Sequence, residues 1–217
     1  MTALPMKREY GPTLGRLLAP RWHAASPAGR AVAIVAMLAL VGVLLAAGLT
    51  LANATYAHGE PLPFSFSYRG LYRVAPDPGG YVKVQSRWPE GALKYSYAVD
   101  PLRLPRYTGG PSGELPIYAA ARIRGLRARY RDFALSGEGK TRISNSLTGY
   151  QIAYSARVGG EEMYVREVLL LPERPSARDG VDIVMLTSPT ASAQVTSPRE
   201  VGATGVLLRP LKTFSFG

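Results

Sequence analysis

From Ala31 to Ala52 the chain reads AVAIVAMLALVGVLLAAGLTLA, 22 consecutive residues without a charge. No other feature constrains the fold as strongly. Coiled into a helix at about 1.5 Å per residue, the run reaches roughly 33 Å, enough for a hydrocarbon core of about 30 Å. A helix satisfies its own backbone hydrogen bonds in lipid, and Thr50 alone in the run adds a side-chain hydrogen-bonding group. Helices buried in soluble cores normally keep a polar face. The run, extended to residue 53, is therefore read as a transmembrane helix spanning the lipid bilayer.

Its flanks set the orientation. Lys7, Arg8, Arg16, Arg21 and Arg30 precede it against the single acid Glu9, whereas the next charges beyond it are Glu60 and Arg69. Positive residues concentrate on the cytoplasmic side. The expectation is a single-pass protein of the cell membrane, N-terminus cytoplasmic and C-terminal domain extracytoplasmic. Residues 1–30, punctuated by Pro5, Pro12, Pro20 and Pro27, read as a basic leader near anionic headgroups, with Trp22 at the interface. Ala52-Asn53-Ala54 has the small-x-small pattern that signal peptidase reads, but the apolar run exceeds the roughly 7–15 residues of a signal peptide. An uncleaved signal anchor is the expectation, and Asn53-Ala54-Thr55 is read as a chance match to a glycosylation acceptor.

The chain contains no cysteine, which excludes disulfides, thiolate zinc sites, iron–sulfur clusters, a thiol nucleophile and a lipidated N-terminal cysteine. Twenty-six Lys and Arg, 21 of them Arg, face 15 acids for a formal charge of +11. That balance raises nucleic acid, anionic lipid or an acidic polymer as partners. Export of the domain argues against nucleic acid.

After a linker at 54–63, residues 64–217 read as the exported domain. Its dominant pattern is period two, the mark of half-buried strands. Phe64, Phe66 and Tyr68 alternate with Ser65, Ser67 and Arg69, and Trp88-Pro89-Glu90-Gly91 suits a hairpin turn before the alternating Lys94–Val99. Residues 149–158 meet 161–171 across Gly159-Gly160. As a two-residue loop this pair places Val158 opposite Glu161, Ala156 opposite Met163 and Tyr154 opposite Val165. Val168–Leu171 and Val181–Thr187 read as buried strands, and Pro198–Gly202 as a short helical turn. Four of the five Phe lie in two Phe-Ser-Phe segments at 64–66 and 214–216.

One helix interrupts the strands. Glu114 to Asp132 carries Ala119, Ile123, Leu126 and Tyr130 in one arc at helical spacing, a core-facing stripe. Ser112 or Gly113 is its expected cap. The fold class that follows is α+β: an N-terminal transmembrane helix, then a mostly antiparallel β-sheet domain packed with helices.

Catalytic, cofactor-binding and metal-ligating residues are none by this reading. His58, the one histidine beyond the span, falls in the linker, and no Gly-x-Ser-x-Gly elbow or P-loop Lys is present. Asp179 and Asp182 lack EF-hand spacing and read as turn-solvating acids. No enzyme activity and no cofactor are expected. The positive signal is the helix, where five arginines lie between Arg122 and Arg131. Arg122 and Arg129 flank the apolar stripe, whereas Arg124, Arg127 and Arg131 fall on the far face. Those three are the candidate ligand surface for anionic lipid or cell-wall polymer.

The element order, with the early hairpin, the helix from Ile117-Tyr118-Ala119-Ala120 to Tyr130, Gly149-Tyr150-Gln151-Ile152 and the closing Phe214-Ser215-Phe216, resembles the PsbP-like fold, including LpqN-type exported proteins of actinobacteria. The resemblance implies an antiparallel sheet with helices on both faces, and an assembly or interaction factor rather than an enzyme. It carries over no functional residue, and the chain departs from LpqN-type proteins in having a hydrophobic anchor where they carry a lipidated cysteine. The function expected from residues and resemblance together is a non-catalytic interaction or assembly module of the cell envelope with an envelope protein partner. The alternative is an extracytoplasmic binding domain for anionic lipid or polymer.

Overall fold

Ser26 and Pro27 start the first helix, α1 (Pro27–Leu51). Proline's fixed φ and missing N–H suit the first helical position, and the Ser26 hydroxyl accepts from the Gly29 N–H at 3.2 Å. The helix thus begins one turn before the apolar run. The computed structural model describes residues 26–51, 53–105, 111–144, 147–174 and 177–217; the leader up to residue 25, Ala52 and the loop glycines at 109–110 lie outside the described residues. Among the described residues no helix is long and apolar enough to cross a membrane. The side chains at 44–47 and 49–51 lie outside them as well.

The chain divides between Thr50 and Leu51 into two units. The second begins with a correction, because Ala54–His58, read as part of a linker, is the strand β1. All five of its residues pair antiparallel with β2 (Phe64–Tyr68). The reason is local: a hairpin pairs the facing backbone groups of β1 and β2, which an isolated linker would leave to water. Strands β3 (Tyr72–Val74), β4 (Val82–Arg87) and β5 (Leu93–Arg103) follow, then α2 (Pro111–Arg129). Helix α2 starts at Pro111, so Ser112 and Gly113 belong to its first turn rather than capping it. After it come β6 (Ala134–Ile143), β7 (Leu147–Val158), β8 (Glu161–Leu170) and β9 (Asp179–Thr187). A 3-10 turn at Pro198–Glu200, the short α3 (Leu208–Lys212) and β10 (Ser215–Phe216) close the chain.

Seven strands form one antiparallel sheet in the order β3-β4-β5-β9-β8-β7-β6, and β1-β2-β10 form a second. Helix α2 is the long crossover from β5, near the middle of the large sheet, to β6 at its far edge. The β6–β9 meander then returns until β9 pairs with β5, from Tyr95 opposite Thr187 to Arg103 opposite Asp179. The Gly159-Gly160 hairpin has the expected register, Val158 opposite Glu161 and Tyr154 opposite Val165. Both glycines take positive φ, 61° and 92°, which a non-glycine residue adopts only at a cost.

Each face of the large sheet has its own core. On one, Ala119, Ile123 and Leu126 of α2 pack with Leu102, Ile152 and Leu169. On the other, Phe64, Phe66 and Phe214 pack with Val99, Val168 and Ile183, and Leu207 and Leu211 close the cluster. A second sheet and a five-residue helix therefore cover the face where the resemblance implies longer helices. Burial on both sides explains why β8 and β9 read as apolar runs rather than clean alternations.

Candidate functional site under helix α2

Helix α2 buries its apolar stripe, and Arg122, one residue before Ile123, is carried down beside it onto the sheet. Strand alternation sets what it meets. Val165, Glu167 and Leu169 of β8, and Asp182, Val184 and Leu186 of β9, point to the α2 face. Asp100 of β5 lies directly opposite Asp182, and Glu167 opposite Val184. Three carboxyls thus share one face of three neighbouring strands, with Glu167 diagonal to Asp182.

Arg122 answers them. Its Nε donates to Glu167 Oε2 at 2.9 Å and its Nη2 to Oε1 at 3.4 Å. The same Nη2 lies 3.5 Å from Asp182 Oδ2. The Tyr154 hydroxyl donates to Glu167 Oε1 at 2.8 Å, so Glu167, 1% exposed, is paired on both oxygens. Asp182 is 5% exposed, and its Oδ1 has no hydrogen-bond partner among the described residues.

The electrostatics follow from burial. Desolvation raises the Asp182 carboxyl well above its ordinary value of 3.8, and the charge on Glu167 adds to this against the pull of Arg122. Asp100 moves the same way, again by burial first and then by Asp77, with Arg122 and Lys83 opposing. Burial works against the Arg122 charge, but Glu167 and Asp182 outweigh it and hold the guanidinium protonated. The Tyr154 hydroxyl is pushed up by burial and by Glu167. A cavity of about 200 Å³ opens beside the cluster, with Ser96, Asp100, Arg122, Tyr130, Tyr154 and Glu167 among its lining.

Chemically this arrangement favours the protonated form of Asp182 and ties α2 to the sheet. It offers no activated nucleophile, because Tyr154 donates into Glu167 and its pKa moves away from ionisation. Among the described residues no group of three or more His, Asp or Glu could hold a metal ion; Arg122 is the cation these carboxyls share.

The reading of Asp179 and Asp182 as turn acids divides. Asp179 is exposed and faces Arg103 at 3.7 Å, whereas Asp182 is buried in mid-strand. His58 sits in β1 with its ring 5.0 Å from that of Phe64 and 4.5 Å from that of Tyr81. Its side chain hydrogen-bonds the Tyr56 hydroxyl at 3.5 Å, and among the described residues it meets neither a serine nor a carboxylate there. Arg124, Arg127 and Arg131 are all exposed, Arg131 in the turn that follows α2. The Arg127 guanidinium lies 5.9 Å from the Phe133 ring centre. None of the three side chains makes an ion pair with a described residue, and none reaches the Glu167 cluster. What the pattern missed was Arg122, Glu167 and Asp182 as a unit. A signal was present, since Glu167 and Asp182 are acids inside the apolar runs VREVLL and VDIVML.

No protein-family model and no curated protein matches this chain. Among solved structures the chain is similar to the crystal structure of a protein of unknown function from Pseudomonas aeruginosa, at 10% identity and a TM-score of 0.37, over 64% of this chain and 85% of that one. The reading of this protein therefore rests on its own residues.

Proposed function

We propose that this chain is a single-pass, membrane-anchored extracytoplasmic interaction or assembly module of the cell envelope, without catalytic activity. The observation that carries the reading is α1, 25 residues of helix that include the uncharged residues from Ala31 to Leu51. Its described side chains from Ala31 to Val43 are exposed, Val32 to 69% and Val43 to 65%. Apolar side chains exposed around a whole helix are costly in water and at home in lipid. The basic flank at Lys7–Arg30 supports a cytoplasmic N-terminus. The antiparallel sheet with α2 packed on one face supports the PsbP-like reading, and the second sheet on the other face is where this chain differs.

Alkaline carbonate extraction with protease treatment tests the anchor. The full chain is expected in the membrane pellet, with the 53–217 part digested in spheroplasts before lysis. Release by carbonate, or protection until lysis, overturns the topology. Crosslinked native membranes are expected to yield an envelope protein with it; repeated recovery of the chain alone counts against a partner.

A second reading, an anionic lipid or cell-wall polymer bound through the α2 arginines, is favoured by the exposure of Arg124, Arg127 and Arg131. Glu at all three positions is then expected to abolish binding to anionic vesicles or polymer at moderate salt. Unchanged binding removes this reading.

A further inference from the structure

On the sheet face away from α2, strand β8 buries a second arginine. Arg166 is 8% exposed, and its partners are all neutral. Nε donates to Gln151 Oε1 at 2.9 Å, Nη1 to the Val201 carbonyl at 3.1 Å and Nη2 to Thr141 Oγ1 at 3.3 Å. Among the described residues no carboxylate answers it. The contrast with Arg122, which has Glu167 and Asp182, is sharp. Glu200, the acid of the nearby 3-10 turn, is engaged by Thr196 and Ser197 instead. Burial lowers the Arg166 pKa, and no neighbouring charge offsets it.

A buried charge is costly unless paired. A guanidinium carries five N–H donors, and the three bonds above leave one N–H on each terminal nitrogen. Arg166 also lines a cavity of about 200 Å³, together with Arg142, Ser144, Gly202, Leu211 and Lys212. Of the charged residues in that lining none is an acid. Neither the Arg142 nor the Lys212 side chain makes an ion pair with a described residue. The space is several times the roughly 30 Å³ that a water occupies in the liquid.

We infer that this cavity is a binding site for a phosphate group, held by Arg166 from within and by Lys212 at the mouth. A planar guanidinium matches the oxygen spacing of phosphate, and an ammonium adds a point charge. Two cations fit a group of charge near −2 better than a single carboxylate. The source is either free phosphate or the phosphate of a lipid headgroup. The inference stands apart from the membrane reading, because a soluble anion tests it without the anchor.

The test uses the full chain in uncharged detergent micelles, titrated calorimetrically with inorganic phosphate against chloride at matched ionic strength. Saturable binding is expected. The Lys212→Glu charge reversal, exposed and so tolerant of exchange, is expected to weaken it about tenfold or more while unfolding at the parent's midpoint without phosphate. Arg166→Met is expected to abolish it. Dihexanoyl phosphatidic acid competing more tightly than phosphate assigns the site to a headgroup; weaker competition assigns it to free phosphate. No saturable binding up to about 10 mM phosphate, or an unchanged affinity in the Lys212→Glu charge reversal, overturns the inference.

Discussion

Asp182 occupies a position few carboxyls tolerate. It faces Asp100 across the β5–β9 pair, has Glu167 as a diagonal neighbour, and shares with Glu167 a single guanidinium. Like charges opposite one another in a sheet are unfavourable, and the cheapest relief is a proton. Since its folded pKa lies above the ordinary 3.8, the folded chain binds that proton more tightly than the unfolded chain. The stabilisation is therefore full below the ordinary value and is lost as pH rises through the raised one. Asp100 contributes with the same sign. Asp182→Asn, which keeps the shape and cannot ionise, is expected to be more stable than the parent at about pH 8, with a shallower decline in stability from about pH 5. Urea denaturation at several pH values measures this. Equal pH slopes in the two proteins would show that Asp182 stays ionised. Arg166 presents the opposite problem, a cation without an acid, and it has no proton to shed at neutral pH.

At the scale of elements, the two Phe-Ser-Phe segments are the clearest case of a pattern whose meaning lay elsewhere. Each reads as a short alternating strand. In the fold they pair with one another, Phe216 opposite Phe64 and Ser215 opposite Ser65, across a sequence separation of 150 residues between the two serines. Phe214 is fully buried and stacks 5.5 Å from Phe64. Truncating it empties part of the core on that face. Phe214→Ala is expected to cost about 3–5 kcal/mol, seen as a lower urea midpoint with little change in slope. A loss below about 1 kcal/mol would mean that the closing strand contributes little to the core. The Gly159-Gly160 hairpin is the counter-example. Its register was legible because the turn and both strands lie within a few residues of each other, and loop chemistry sets the pairing.

The whole molecule divides between residues 50 and 51, and the second unit has a core on each face of its large sheet. A chain of about 150 residues buries roughly 70% of the surface it exposes when unfolded, enough to fold without disulfide or metal. A chain beginning at Asn53 is accordingly expected to unfold in one cooperative transition, with a midpoint close to that of the full chain in detergent. A broad or absent transition would show that the domain depends on its anchor. The net charge divides in the same way. Five basic residues and one acid precede the apolar run, where they bear on topology, and the rest of the charge belongs to the folded unit. There Arg122 is spent on internal pairing, while Arg124, Arg127 and Arg131 face outward.

By itself the sequence determined the α+β class, the antiparallel hairpins, the apolar helix and the buried stripe of α2. Each is a local periodicity or a turn whose chemistry acts between residues close in the chain. It did not reveal β1, since five residues beside an apolar run carry too little pattern to mark a strand. Only the tertiary structure decided that Arg122 meets Glu167 and Asp182, that the two Phe-Ser-Phe segments pair, and that Arg166 is buried without an acid. Those contacts depend on the register of strands far apart in sequence and on how α2 is turned above them. A one-residue slip in either would send every side chain to the other face.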